Sequence, residues 1–269
     1  DIHFHTNLSF DAYENKKDYS DFDLDKLIEN EKNLPDEEKI KVIVKTDHNI
    51  FGYEQFNKMK SKLETGDIVL LPGIELNDED RFHWIFVFDD KSLLEEVDGK
   101  EKGFILDEKI QSYFNYTKII PDVLEMKMAQ GKKYPIEKFI SILNQLEISF
   151  LAIPHLNKSN GLYKVLKKNK DKLNIINTYL SENIINGFES KNYDDFFAEN
   201  IKQTQYNIQI LNESLCDIED VEELENVSKE IENRVKHLDF MKEFSSTTHE
   251  QNVSSIYGSD FHGSKAGMD

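Results

Sequence analysis

Eight histidines occur in the chain: His3, His5, His48, His83, His155, His237, His249 and His262. Six of them stand at or beside the ends of apolar segments that read as strands. His3 and His5 are two residues apart, and in a strand such residues point to the same side, so both imidazoles can grip one cation. Asp260 and His262 repeat that spacing near the far end. Asp47-His48 follows a β-branched run; one of the two can bind a metal while the other orients it, and Asp47 also suits the N-cap of a helix near Gly52. Glu75 follows Pro72-Gly73, where a buried carboxylate is costly without a cation, and its two oxygens can bridge two ions. His83 precedes the run Trp84–Phe88, and His155 ends the run Ser149–Pro154. Asp11 is a further candidate. These nine nitrogen and oxygen ligands exceed one tetrahedral zinc site. They suit two or three divalent ions such as Mn, Fe or Zn. Asp47 and His155 are in addition placed to assist catalysis. His237 and His249 read as structural or solvated.

Short strands and helices must position these groups. Helical spacing marks Asp25–Asn33, Gly52–Leu63 and Ile136–Leu146. Strand character marks Ile40–Lys45, Asp67–Leu71 (ended by Pro72-Gly73), Trp84–Phe88, Ser149–Pro154, Ile184–Glu189 and Ser254–Gly258. The alternation predicts a parallel sheet, whose strand ends converge on one face. About 89–134 and about 195–250 break the rhythm as insertions. Within the second, Asp217–Phe244 is acidic, with apolar residues at helical spacing. It predicts a long amphipathic helix covering the body, or else a partner-binding arm.

The 269 residues fit one large α/β domain or two small ones, and the net charge of −19 repels nucleic acid and anionic lipid unless local cations reverse the field. No apolar run is long enough for a transmembrane helix. One cysteine, Cys216, excludes an internal disulfide framework and a thiolate-rich metal site. The chain opens on Asp1 without a signal-like segment, so a reducing cytoplasm is the expected compartment. The segment Gly263–Asp269 carries no structural stop, and the protein is expected to continue beyond it.

Taken in order, these residues resemble the PHP (polymerase and histidinol phosphatase) family. Asp1-Ile2-His3-Phe4-His5-Thr6-Asn7-Leu8-Ser9 is similar to its first motif, DxHxHTxxS. Lys45-Thr46-Asp47-His48-Asn49 resembles the TDHN motif, and Pro72-Gly73-Ile74-Glu75 the PGIE segment. His83 resembles the next ligand position. Ile153-Pro154-His155 resembles the third motif with His and Pro reversed, and Ser259-Asp260-Phe261-His262 the last, SDxH. The resemblance spans the chain as a single domain, 1–269. It implies an α/β fold, a distorted (β/α)7 TIM-like barrel with helical insertions, and a trinuclear metal site. His3, His5, Glu75 and Asp260 would hold one ion. Asp11, His48 and His262 would hold the second, and Glu75, His83 and His155 the third. No arginine phosphate clamp is evident; Lys158 and Lys265 are candidate phosphate contacts.

The implied activity is hydrolysis of phosphoesters by a metal-bound hydroxide, on nucleotides or nucleic-acid ends. A small-metabolite phosphomonoesterase of histidinol-phosphatase type is the alternative, and a non-catalytic metal-binding scaffold is another. An amidohydrolase also opens with HxH, but it would use fewer ligands and typically a bridging lysine carboxylate. The long insertions are similar to those of PHP domains fused ahead of an SMC-like or AAA-type ATPase (the TrlF-type group), which would make an ATPase portion of the same protein a partner. No GxxxxGK[ST] pattern occurs in this chain.

Overall fold

The β-branched run ending at Lys45 forms β1 (Val42–Lys45), and Val69 opens β2 (Val69–Asn77). The computed structural model describes residues 4–6, 21–36, 39, 41–79, 83–116, 132–156, 161–162, 172–189, 193–218, 220–250 and 254–256. β2 does not stop at Pro72-Gly73 as its sequence suggests. Pro72 lies opposite Lys45 in the parallel β1–β2 register, and antiparallel pairing with β3 (His83–Phe88) begins one residue later, at Gly73. The missing proline N–H thus falls outside the ladder to β3. Gly73 answers a different need: a Cβ there would stand 2.7 Å from the Phe86 carbonyl oxygen and 2.9 Å from that of Lys45.

The two-residue strands β4 (Glu96–Val97) and β5 (Lys100–Glu101) form a small hairpin, and β6 (Phe150–Pro154) completes the main sheet in the order β1-β2-β3-β6. β7 (Gly187–Glu189) and β8 (Ser254–Ile256) form a parallel pair. Isolated bridges Ala152↔Ile185 and His155↔Glu189 lay the β7 segment beside β6, and Phe4↔Lys45 lays the first segment beside β1. The (β/α)7 barrel that the resemblance implies does not form among the described residues. Among the described residues the strands make an open four-stranded mixed sheet and two two-stranded ones, with no closed barrel. The cause is local. Residues 78–82 are too few for a crossover helix, so β3 returns antiparallel to β2, and β6 runs antiparallel to β3. The expected all-parallel sheet fails for the same reason. The reversal has a functional consequence: the first residue of β3, His83, lies opposite Asn77 at the end of β2.

The two sheet faces are unequal. Ile43, Leu70, Ile74, Leu76, Trp84, Phe86, Phe88 and Ala152 belong to the large core. Three helices cover it with residues at i, i+3, i+4, i+7 spacing. They are α1 (Asp21–Lys32; Leu24, Leu27, Ile28), α2 (Tyr53–Leu63; Tyr53, Phe56, Leu63) and, later in the chain, α5 (Ile136–Gln145; Ile136, Phe139, Ile140, Leu143). Between α2 and α5 lie the short α3 (Asp90–Leu94) and α4 (Lys102–Phe114). The described part of 89–134 joins the same core through Leu106, Ile110 and Phe114 of α4, and through Tyr134. The opposite face carries a smaller cluster, Val44, Ile85, Val87 and Ile153, with Leu71 packed against it.

α6 (Lys172–Ser181) precedes β7, and α7 (Tyr193–Ser214) packs along α8 (Val221–Glu250). The acidic segment forms a long helix, α8, as its spacing predicts. Its end enters the core through Leu238, Phe240, Met241 and Phe244, with Phe244 5.7 Å from the Phe188 ring. Its beginning does not, since Val221 is 71% exposed. No helix among the described residues is long and apolar enough to cross a membrane.

Candidate metal centre

Register and side-chain alternation place Glu75 on the small apolar face. It lies opposite Ile85, which lies opposite Ile153, and both belong to that cluster. The apolar residues form a buried floor, and the ligand types gather at its edge. Glu75 is 1% exposed and meets four imidazoles, two at each oxygen. Oε2 lies 3.2 Å from His5 Nε2 and 3.5 Å from His48 Nδ1. Oε1 lies 2.9 Å from His155 Nε2 and also contacts His83 Nδ1. The four rings follow one another around the carboxylate: His5 to His48 4.7 Å between centroids, His48 to His83 5.2 Å, His83 to His155 5.5 Å. Two groups result, His5/His48/Glu75 and Glu75/His83/His155, each with ligand atoms within 4.8 Å of one another. Glu75 belongs to both.

Backbone pairing aims these side chains. The Asn49 N–H donates to the Glu75 carbonyl at 2.8 Å, and the Glu75 N–H to the Asp47 carbonyl at 3.2 Å, so His48 stands opposite Glu75 as a parallel bridge. Asn49 adopts φ 58°, a left-handed conformation for which asparagine is well suited, and its Oδ1 accepts from the Asn77 N–H at 3.2 Å. The Thr46 N–H donates to the Phe4 carbonyl at 2.8 Å, which sets the residue before His5 against β1. The His155 N–H donates to the His83 carbonyl at 3.0 Å.

Asp47 faces a fastening network. Its carboxylate accepts from the Thr6 N–H at 2.5 Å and the Thr6 hydroxyl at 2.7 Å, and it pairs with Lys45 Nζ at 2.6 Å. Lys45 is fully buried and also donates to the Phe51 carbonyl at 2.5 Å. The N-cap role considered for Asp47 falls instead to Asp107 of α4, which accepts from the N–H groups of Gly52 and Tyr53 at 3.2 and 3.0 Å. Burial pushes the Asp107 carboxyl up, against those two N–H groups and the charge of Lys45. Thr6 follows His5 and Asp47 precedes His48, so the network ties together the two segments that carry these imidazoles. Asp47→Ala would leave the Lys45 ammonium without its buried anion. A stability loss of about 3–5 kcal/mol is expected in denaturant unfolding. A loss below about 1 kcal/mol, the worth of an exposed pair, would show that the clasp is not what holds these segments together.

His155 is set between two carboxylates. Nε2 faces Glu75, and Nδ1 contacts Oε2 of Glu189, a buried residue at the end of β7. Burial alone would lower its pKa, but the charges of Glu75 and Glu189 and their hydrogen bonds outweigh it and raise it to about 9. Sequence reasoning passed over Glu189 and the roles of Thr6 and Lys45. The available signal for Glu189 was its place: it is a carboxylate closing the apolar run Ile184–Glu189. Of the other expected site residues, His3, Asp11, Lys158, Asp260, His262 and Lys265 lie outside the described residues. His237 lies along α8, its ring 6.3 Å from that of Phe240; the side chain of His249 lies outside the described residues.

No protein-family model matches the sequence, and no curated protein matches it.

Proposed function

We propose that the chain is a metal-dependent phosphoesterase of the PHP type its motifs resemble, acting on nucleotides or nucleic-acid ends. The observation that carries this reading is the buried Glu75 carboxylate, with two imidazoles at each oxygen. Such a donor set, free of thiolates, suits two borderline divalent ions that share one carboxylate, with Mn, Fe and Zn as the candidates. Divalent ions held there supply charge neutralisation for a phosphoryl group and activation of water near neutral pH. The residues of the chain supply the rest. Glu75 fixes the spacing of the two ligand groups. The Thr6–Asp47–Lys45 clasp keeps His5 and His48 in register. The apolar floor of Val44, Ile85 and Ile153 keeps water from beneath the site. His83 has the most exposed side chain of the four histidines, at 18%, and marks the side from which a phosphoester enters.

His3 and Asp260 are proposed to join His5 and Glu75 at one ion, Asp11 and His262 to join His48 at another, and Lys158 and Lys265 to contact phosphate. The charge of −19 disfavours a duplex-binding track and favours ends, flexible single strands and small esters. A cytoplasmic setting and an ATPase portion in the same protein belong to the proposal. The test joins elemental analysis to an activity panel. The chain is expected to hold two to three divalent ions. With Mn it should hydrolyse p-nitrophenyl phosphate or its bis-ester, nucleotides or single-stranded ends, and a chelator should abolish the activity. Trace metal only, with no metal-dependent hydrolysis, would refute the reading. Turnover of monoesters alone would narrow it to a phosphomonoesterase.

A further inference from the structure

Glu189 closes β7 with its side chain buried, and the parallel bridge His155↔Glu189 sets the two residues side by side on neighbouring strands. The Leu156 N–H donates to the Glu189 carbonyl at 3.0 Å, which fixes that register. One imidazole therefore stands between two buried carboxylates, Nδ1 against Glu189 and Nε2 against Glu75. Glu189 itself belongs to neither of the two groups whose ligand atoms lie close enough to share an ion. We propose that Glu189 is a positioning residue that keeps the proton of His155 on Nδ1, so that Nε2 turns its lone pair to the metal centre.

The chemistry is that of a neutral imidazole, which has one N–H and one acceptor nitrogen. Both ring nitrogens face carboxylates, but Glu75 shares a ligand group with His155 and Glu189 does not, so a bound ion would displace the proton on the Glu75 side and leave the one facing Glu189 in place. The other nitrogen is then the one able to ligate. Such a partner also fixes ring orientation and raises the basicity of the ligating nitrogen, an effect typically worth about 10–100-fold in metal affinity. Without Glu189 the ring can turn over and present its N–H to the centre. This inference rests on the metal-centre reading above and adds to it the atom through which His155 binds.

The test uses the full chain. In the zinc-loaded protein with 15N-labelled histidine, the His155 resonances are expected to show the proton on Nδ1. A proton on Nε2 would overturn the proposal without any variant. In E189Q, whose amide can donate as well as accept, a mixture of tautomers is expected, with Co2+ affinity at the Glu75/His83/His155 group about 10–100-fold weaker. In the H155A background the same change should alter Co2+ affinity by less than about twofold, because Glu189 acts through that ring. An equal loss in both backgrounds would make Glu189 a ligand in its own right and overturn the positioning role, as would an unchanged tautomer and affinity in E189Q. A wild-type chain that takes up neither Zn2+ nor Co2+ would refute the metal-centre reading itself, a result seen before any variant is made.

Discussion

Glu75→Ala is expected to release ions from both ligand groups at once and to lower metal-dependent phosphoester hydrolysis by about 10³-fold or more. Each Glu75 oxygen serves a different pair of imidazoles, so one substitution removes an anionic ligand from two positions. It would also remove the negative charge that two dications sharing the centre would need between them. His155→Ala touches one group only, and is expected to cost at most one ion. The comparison of ion stoichiometry between the two variants, by elemental analysis after dialysis, is therefore the sharpest measurement. A Glu75→Ala chain with its full complement of metal and its full rate would show that the carboxylate does not bridge.

The ligand types were legible because period-2 alternation and strand ends are written locally. His5, His48, Glu75, His83 and His155 all stand beside β-branched or aromatic runs, and the structure brings these five together. What the sequence hid depends on partners far along the chain. Glu189 acquires its place only when β7 lies beside β6, and Lys45 only when Asp47, itself held by Thr6, pairs with it. A lysine in a strand-ending motif gives no sign that it will be fully buried. The barrel expectation failed on a loop length. Five residues between β2 and β3 allow a reversal and forbid a helical crossover, whereas the apolar runs on either side carry no sign of strand direction. The same loop nevertheless brings His83 to the centre. A ligand at the start of an antiparallel strand occupies the edge that a ligand at the end of a parallel strand would occupy.

In the chelator-treated chain, stability is expected to fall as the pH rises from about 6.5 to about 9, through loss of the proton on His155. The pKa of this group is raised to about 9 in the folded chain because Glu75 and Glu189 flank it, against a desolvation that works the other way. In the unfolded chain it returns to about 6.5. A group whose folded pKa is raised contributes its stabilisation in full below the unfolded value and loses it as the pH passes through the folded one. The span corresponds to on the order of 3 kcal/mol. Urea unfolding between pH 6 and 10 measures it, and subtracting the same series for His155→Ala removes the other titrating groups. A difference that stays flat across this range would mean that the two carboxylates do not hold the imidazole charged. Metal inverts the dependence, because a divalent ion needs the Nε2 lone pair that the proton occupies. Uptake at the Glu75/His83/His155 group is therefore expected to release a proton below about pH 9. Apparent affinity should gain about tenfold per pH unit from that proton, then level off above pH 9. Calorimetric titration with zinc in two buffers of different ionisation enthalpy counts that proton directly. In E189Q one of the two flanking charges is gone, so the levelling is expected at lower pH, which ties the acid–base behaviour of the centre to the same carboxylate that orients its ligand.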